Sequence, residues 1–246
     1  TPYKIMGVVE GKLVSNLDEY SALKHIDIGS EFQWRSGVKH DASKVMELNE
    51  HDGKYLNGNK EKVDIEKDYL YPMYKSSNIS KKLLPVPSKF MLIPQQRVGE
   101  DTKPIRVKAP LTWDYLVKNS EKLDGRKSSI YKKAPRFSIF GVGDYTFKPY
   151  KVVISGMYKN FEFKKLELFN EKPIVLDDTC YMLGFDRIEE AELIYTILSS
   201  SYCRRFIESI VFTDNKRPIT VALLNRINFK EIAKSLGLEA EYDKFF

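Results

Sequence analysis

Asp144 and the run Glu162-Phe163-Lys164 together supply an acid and a Glu-x-Lys pair, the residue types that bind a divalent metal and activate water for phosphodiester cleavage. Strand alternation places Glu162 and Lys164 of FEFKK on one face, as that chemistry needs. The same spacing is common on any solvated strand face, so a nuclease site stands second among the functions weighed. IFGVGDY (139–145) invites comparison with a glycine-rich nucleotide loop, which should follow a strand and open a helix. Its continuation TFKPYKVVISG contains Pro149 and β-branched residues and reads as strand. The glycines then serve a turn or a close backbone approach. Asp177-Asp178 follows PIVL and suits strand-end capping of N–H groups better than a metal or a base contact. His25, His40 and His51 lack metal-ligand spacing, and His40 suits a turn or a phosphate contact. Cys180 and Cys203 have no supporting histidine and read as small buried residues. These residues assign the chain no catalytic group, no metal and no cofactor.

The basic segments carry more. GRKSSIYKKAPRF (125–137) places Arg126, Lys127, Ser128, Ser129, Lys132, Lys133 and Arg136 in a stretch with little acid. Lysine and arginine neutralise phosphates, while serine hydroxyls and free N–H groups position a nucleic-acid backbone. QWRSGVKHDASK (33–44) has the same character, with Gln33, Arg35, Lys39 and Lys44. YKSSNI (74–79) adds Lys75, Ser76, Ser77 and Asn78. Gln95, Gln96 and Arg97 follow, then Lys148, and Lys216 with Arg217 in DNKRPIT. Gln33, Asn78, Gln95 and Gln96 are candidates for reading base edges; Arg35, Arg97 and Arg126 are candidates for guanine or phosphate.

Loops of this kind need a rigid scaffold. Residues 3–15 read as a strand pair joined by a Glu-Gly turn. A short helix over 17–24 follows, with Asn16 as its cap. Residues 31–65 read as short strands with turns at Asp52-Gly53 and Asn57-Gly58. YLYPMYKSSNI and KFMLIPQQ are apolar strand-like runs. TWDYLVKNSEKLDGR (112–126) has helical periodicity, with Thr112 as cap and Trp113, Leu116, Val117 and Leu123 on one face. FSIFGVG, YKVVISGMY, FEFKKLELF and PIVLDDTCYML read as strands. Helices are predicted over 188–201, 203–212, from Thr220 and over 229–237. This mixed order predicts an α+β fold, a mixed or antiparallel sheet lobe followed by C-terminal helices. It reads as one domain over 1–246: an entry segment at 1–28, a main body at 29–236 and a tail at 237–246.

The 246 residues carry a net charge of +6 and 13% aromatic residues. The charge is segregated. Glu121–Lys165 has eleven Lys or Arg against four Asp or Glu, Lys75–Lys108 eight against two, and Asp41–Asp68 five against eight. Segregation of this kind suits a polyanion partner. A third reading makes the aromatic surplus a protein-partner surface within a larger complex. No run is long and apolar enough for a membrane span, and two cysteines make no disulfide framework, which points to the cytoplasm. The start at Thr1 reads as a cut from a longer protein.

WRSGVKHDASKVMEL, YLYPMYKSSNI, QQRVGEDT, LDGRKSSIYKKAPRFSIFGVGDYTFKPYKVVISGMYK, VLDDTCYML and DNKRPIT occur in that order. They resemble the C-terminal target-recognition region of bacterial restriction–modification DNA methyltransferases of the adenine-N6 type, and the first lobe resembles a TaqI-like specificity domain. The likeness runs from about Gly29 to Leu236. It implies a double-stranded DNA partner. It also implies a parent chain whose N-terminal methyltransferase domain binds S-adenosylmethionine and methylates a flipped adenine. The family's Asn/Asp-Pro-Pro-aromatic catalytic motif and its glycine-rich cofactor motif are absent here. What carries over is recognition, without catalysis.

Overall fold

The computed structural model describes residues 5–212 and 214–246. Two-residue turns set the pairing of its short strands. Glu10-Gly11 and Asp52-Gly53 all have positive φ, between 48° and 77°, the type I′ geometry whose twist matches that of paired strands. In chain order the strands are β1 Gly7–Val9, β2 Lys12–Val14, β3 Arg35–Ser36, β4 Glu47–His51, β5 Lys54–Leu56, β6 Lys62–Val63, β7 Leu70–Tyr74, β8 Lys89–Leu92, β9 Tyr150–Ser155, β10 Phe163–Leu166, β11 Val175–Leu176 and β12 Cys180–Phe185. The strand pair expected at 3–15 is β1 with β2; Tyr3 and Lys4 lie outside the described residues.

The first sheet has the order β11-β7-β8-β4-β5-β6. All its pairs are antiparallel except β11 with β7, where Val175 faces Met73 and Leu176 faces Tyr74 in parallel. Leu48 and Leu92 on one face and Met73 and Met91 on the other belong to one buried core with Leu116, Leu123 and Ile139. The second sheet, β10-β9-β12-β3, is antiparallel throughout, with β3 at its edge. Helices Leu17–Leu23, Ile188–Leu198, Ser201–Ile210 and Phe229–Leu236 share one core with it, through residues such as Ile194, Ile197, Phe206 and Phe229. Asn16, Ser200, Thr220 and Asn228 cap their helices with side-chain oxygens, as their types favour. The fold is α+β, with mixed sheets and C-terminal helices.

The two sheets share a small core that includes Tyr74, Leu176, Val153 and Met182, and backbone hydrogen bonds join them beside it. Val38 donates its N–H to the Leu176 carbonyl at 2.7 Å, and Lys39 and Phe140 exchange hydrogen bonds at 2.8 and 2.9 Å. A Cβ on Gly37 would stand 2.2 Å from the Asp177 carbonyl oxygen, so only glycine fits this crossing.

Four expectations change. The helix at 112–126 is two helices, Pro110–Lys118 and Ser120–Asp124, broken at Asn119. Thr112 lies inside the first of them, and its hydroxyl donates to Glu66 rather than capping. Pro110 starts that helix instead, where a missing N–H costs nothing. FSIFGVG forms one bridge at Phe140 rather than a strand, and a single 3-10 turn, Asp144–Phe147, follows it. Residues Glu239–Phe245, within the expected tail, form a helix that buries Tyr242 in the second core.

Candidate nucleic-acid interface

The central feature is built at the start of the edge strand β3 and in the two residues before it. Trp34 turns inward and is only 2% exposed, packed between Phe163 and Phe229. Its neighbours Gln33, exposed, and Arg35, half-buried, stay at the surface. Arg35 donates from Nη2 to Gln33 Oε1 at 2.5 Å, and its guanidinium lies over the Tyr145 ring at 5.1 Å. The ring has room to lie there because Gly143 lacks a side chain; a Cβ would meet it at 2.8 Å. Burial pushes the Tyr145 hydroxyl above its ordinary pKa, against a smaller downward pull from Arg35. Arg97, from the loop after β8, closes the opposite wall through an ion pair with Asp144 at 3.2 Å. These groups line an open cleft of about 510 Å³ whose floor is Met182, Leu183 and Gly184 of β12. Lys148, ion-paired with Asp186, packs against Gly184. Gln33, Arg35 and Arg97, which lie far apart in sequence, therefore converge on one cleft.

The 125–136 segment divides in two. Lys127, Ser129, Lys132 and Lys133 are exposed, and no ion pair is formed by these lysines among the described residues. Ser128 is half-buried, and Arg136 is exposed in an ion pair with Asp124 at 2.7 Å. Arg126 is different. It is buried and donates to the carbonyls of Leu123 at 2.7 Å, His40 at 3.2 Å and Ser138 at 2.7 Å, with Tyr131 stacked on its guanidinium at 3.8 Å. Its expected place as a guanine or phosphate contact gives way to a structural one, because its donors already face three backbone acceptors.

Other candidates are likewise held inside the fold. Gln95 is buried against the Ile139 backbone. Asn78 caps its own turn by accepting from the Lys75 N–H at 2.9 Å, and Ser76 donates to the Thr179 carbonyl at 2.6 Å. Lys75 pairs with buried Glu47 at 2.6 Å, where His40 Nε2 also meets the carboxylate at 3.2 Å. Desolvation alone would raise the Glu47 carboxyl; the hydrogen bonds from His40 and Lys75 outweigh it and hold the pKa down at about 2. His40 accepts from the Ala42 N–H through Nδ1, a turn role. Asp177 accepts from the Thr179 N–H and hydroxyl, as strand-end capping predicts. Lys39 pairs with Asp41 at 2.7 Å; Lys44, Ser77, Gln96, Lys216 and Arg217 are exposed.

The nuclease pattern does not assemble. Asp144 is engaged with Arg97 at the cleft, whereas Glu162 pairs with Lys164 at 3.0 Å in a separate pocket. Among the described residues no cluster of three His, Cys, Asp or Glu is placed to hold a metal. The glycine loop faces its own chain: Gly141 has φ +66°, and a Cβ there would stand 2.4 Å from the Gly37 carbonyl oxygen. It opens no helix long enough to receive a cofactor phosphate or carboxylate. Among the described residues no helix is long and apolar enough to cross a membrane. Tyr145 lines the same cleft and is a side chain that the sequence reading does not single out. Its only signal was an aromatic placed directly after Gly143-Asp144.

No family model matches the chain. Among solved structures, the Type IIL restriction-modification enzyme MmeI in complex with DNA matches with a TM-score of 0.49 and 12% identity, covering 80% of this chain and 24% of that one. Among curated proteins, the Type II methyltransferase M.NspV of Nostoc sp. (strain ATCC 29411 / PCC 7524) is 42% identical over 233 residues, which is 94% of this chain and 48% of that protein. The chain spans about half the length of the curated relative it matches, and across that half it is the homologue of a Type II methyltransferase.

Proposed function

We propose that this chain is the DNA target-recognition part of a restriction–modification methyltransferase of the adenine-N6 type, acting in the bacterial cytoplasm. In this reading it forms one wall of a duplex-binding cleft. Adenine methylation and S-adenosylmethionine binding belong to a methyltransferase domain of the same parent chain; the glycine loop at 139–145 packs on its own backbone. The observation that carries the reading is the convergence of Gln33, Arg35 and Arg97 on one open cleft, in a chain homologous to half of a Type II methyltransferase. Lys127, Lys132 and Lys133, with Ser128, Ser129 and Arg136, hold phosphates. Lys39, Lys44, Lys148, Lys216 and Arg217 supply further positive charge.

Duplex binding measured across a salt series tests this. A Lys132→Ala, Lys133→Ala double variant is expected to weaken binding to all sequences alike. It should reduce the slope of log K against log salt by about 2, since each neutralised phosphate contributes roughly 0.9. A chain that binds no duplex at low salt, or a slope unmoved by the double variant, would sink the reading.

A further inference from the structure

We infer that Arg35, buttressed by Gln33 and Tyr145, is the residue that reads a guanine in the major groove of the target site. The inference rests on the duplex-recognition reading above and deepens it from a surface to one base. Direct readout needs a side chain whose plane is fixed before the DNA arrives, because each rotamer frozen on binding subtracts from affinity. Arg35 meets that requirement three times over. Its backbone is locked in β3, paired with Met182 of β12. The next side chain inward, Trp34, is clamped in the core. Its guanidinium is restrained by the Tyr145 ring on one side and by Gln33 Oε1 at its edge.

The chemistry then selects the base. A guanidinium carries five N–H donors and no acceptor. Gln33 takes one donor, which leaves a fork free. Guanine presents two adjacent acceptors in the major groove, N7 and O6, whereas adenine presents an acceptor beside a donor. A fixed donor fork therefore fits guanine and clashes electrostatically with adenine's amino group. Position also favours this residue. β3 is the edge strand of its sheet, and the cleft in front of Arg35 is open.

Arg97, Arg136 and Arg126 offer no such free and fixed fork. Arg97 is 72% exposed, on a loop, and held by an equally exposed Asp144. Arg136 lies over the Phe137 ring at 4.6 Å, but its Nε and Nη2 are both taken by Asp124, and Arg126 is enclosed among carbonyls. These three fit phosphate contacts or internal structure rather than base reading.

The test selects sites for the 246-residue chain from a pool of randomised duplexes, then compares Arg35→Ala and Arg35→Lys with the unaltered chain. The selected site should contain an invariant G·C pair. Arg35→Ala should lose preference at that one position by roughly 5- to 150-fold while other positions keep theirs. Arg35→Lys keeps the charge but not the fork; it should hold the salt slope and still relax the same position. Replacing that guanine with 7-deazaguanine should weaken the unaltered chain and leave Arg35→Ala unaffected. A uniform loss across all sequences would make Arg35 a phosphate contact and overturn the inference, and so would a selected site without an invariant guanine. If the unaltered chain retains no duplex at all, the recognition reading itself fails, an outcome distinct from these.

Discussion

Gln95 grips the backbone of Ile139 from both sides. Its Nε2 donates to the Ile139 carbonyl at 3.2 Å, and its Oε1 accepts from the Ile139 N–H at 3.1 Å. One side chain thus completes a strand-like pair for a residue with no water around it, since Ile139 is 0% exposed. This contact ties the loop bearing Arg97 to the segment that leads into Gly143 and Tyr145. Gln95→Leu would leave two buried backbone groups unpaired. At roughly 1–3 kcal/mol for each, a loss of about 2–6 kcal/mol in unfolding free energy is expected. Urea denaturation checks this; a variant as stable as the parent would mean that the loop repacks or that water replaces the amide.

Arg126 and the neighbouring lysines should separate cleanly. Arg126→Met leaves three buried carbonyls without donors and removes the stack on Tyr131, so a loss of roughly 3 kcal/mol or more is expected. Lys132→Ala with Lys133→Ala touches only exposed charge and should change stability by no more than about 0.5 kcal/mol each. Thermal melts of both variants decide the matter. Equal destabilisation would contradict the division of this segment into an inner anchor and an outer charged rim.

Glu47 gives the fold an acid limit. Its carboxyl is held at about 2 when folded, against an ordinary carboxylate value when unfolded, so the folded state prefers the charged form. The associated stability is fully present above about pH 5 and is lost as the pH falls towards 2. Its size is roughly 3 kcal/mol, at 1.36 kcal/mol for each unit of pKa. Glu47→Gln should flatten the stability profile over that window and lower stability at neutral pH. Denaturant midpoints from pH 2 to pH 7 provide the check, and parallel curves for the two proteins would remove Glu47 from the account.

Lys151, by contrast, is a charge that the fold penalises. It is 1% exposed on β9, and burial pushes its ammonium down to about 7; its Nζ reaches the Lys148 carbonyl at 2.6 Å. Between pH 7 and the ordinary lysine range the unfolded chain binds the extra proton, so stability rises with pH across that window. Lys151→Met removes the penalty. It should stabilise the protein at pH 6 and have a smaller effect at pH 10. A destabilised Lys151→Met at pH 6 would show that the hydrogen bond to Lys148 outweighs desolvation.

The parts of this molecule that could be read in advance are those governed by neighbours in sequence. Glu10-Gly11 and Asp52-Gly53 announce their turns, and Asn16 and Thr220 announce helix starts, because each acts within four residues of itself. The α+β order followed from those local signals. The site was legible only as a set of residue types. Gln33, Arg35 and Arg97 stand out in the sequence by their chemistry, but their convergence depends on strand pairing between residues more than a hundred positions apart. The same limit hid the partners of Arg126, whose acceptors come from Leu123, His40 and Ser138, and those of Gln95. A basic or amide side chain in a polar stretch looks the same whether its partner is a phosphate or a distant carbonyl. The helix break at Asn119 was missed because apolar periodicity continues across it.

The parallel pairing of β11 with β7 has a consequence for how the chain is made. Val175 and Met73 are neighbours in the sheet yet lie roughly one hundred residues apart along the chain, and closing so long a loop is entropically slow. During synthesis, β7, β8 and β4 emerge early, while the strand that covers β7 emerges only after β9 and β10. Until then the apolar edge of β7 is an unpaired template open to other chains. A product that stops before Val175 should therefore aggregate instead of yielding a free-standing first lobe. The two sheets are one unit of biogenesis, although each also packs a core of its own.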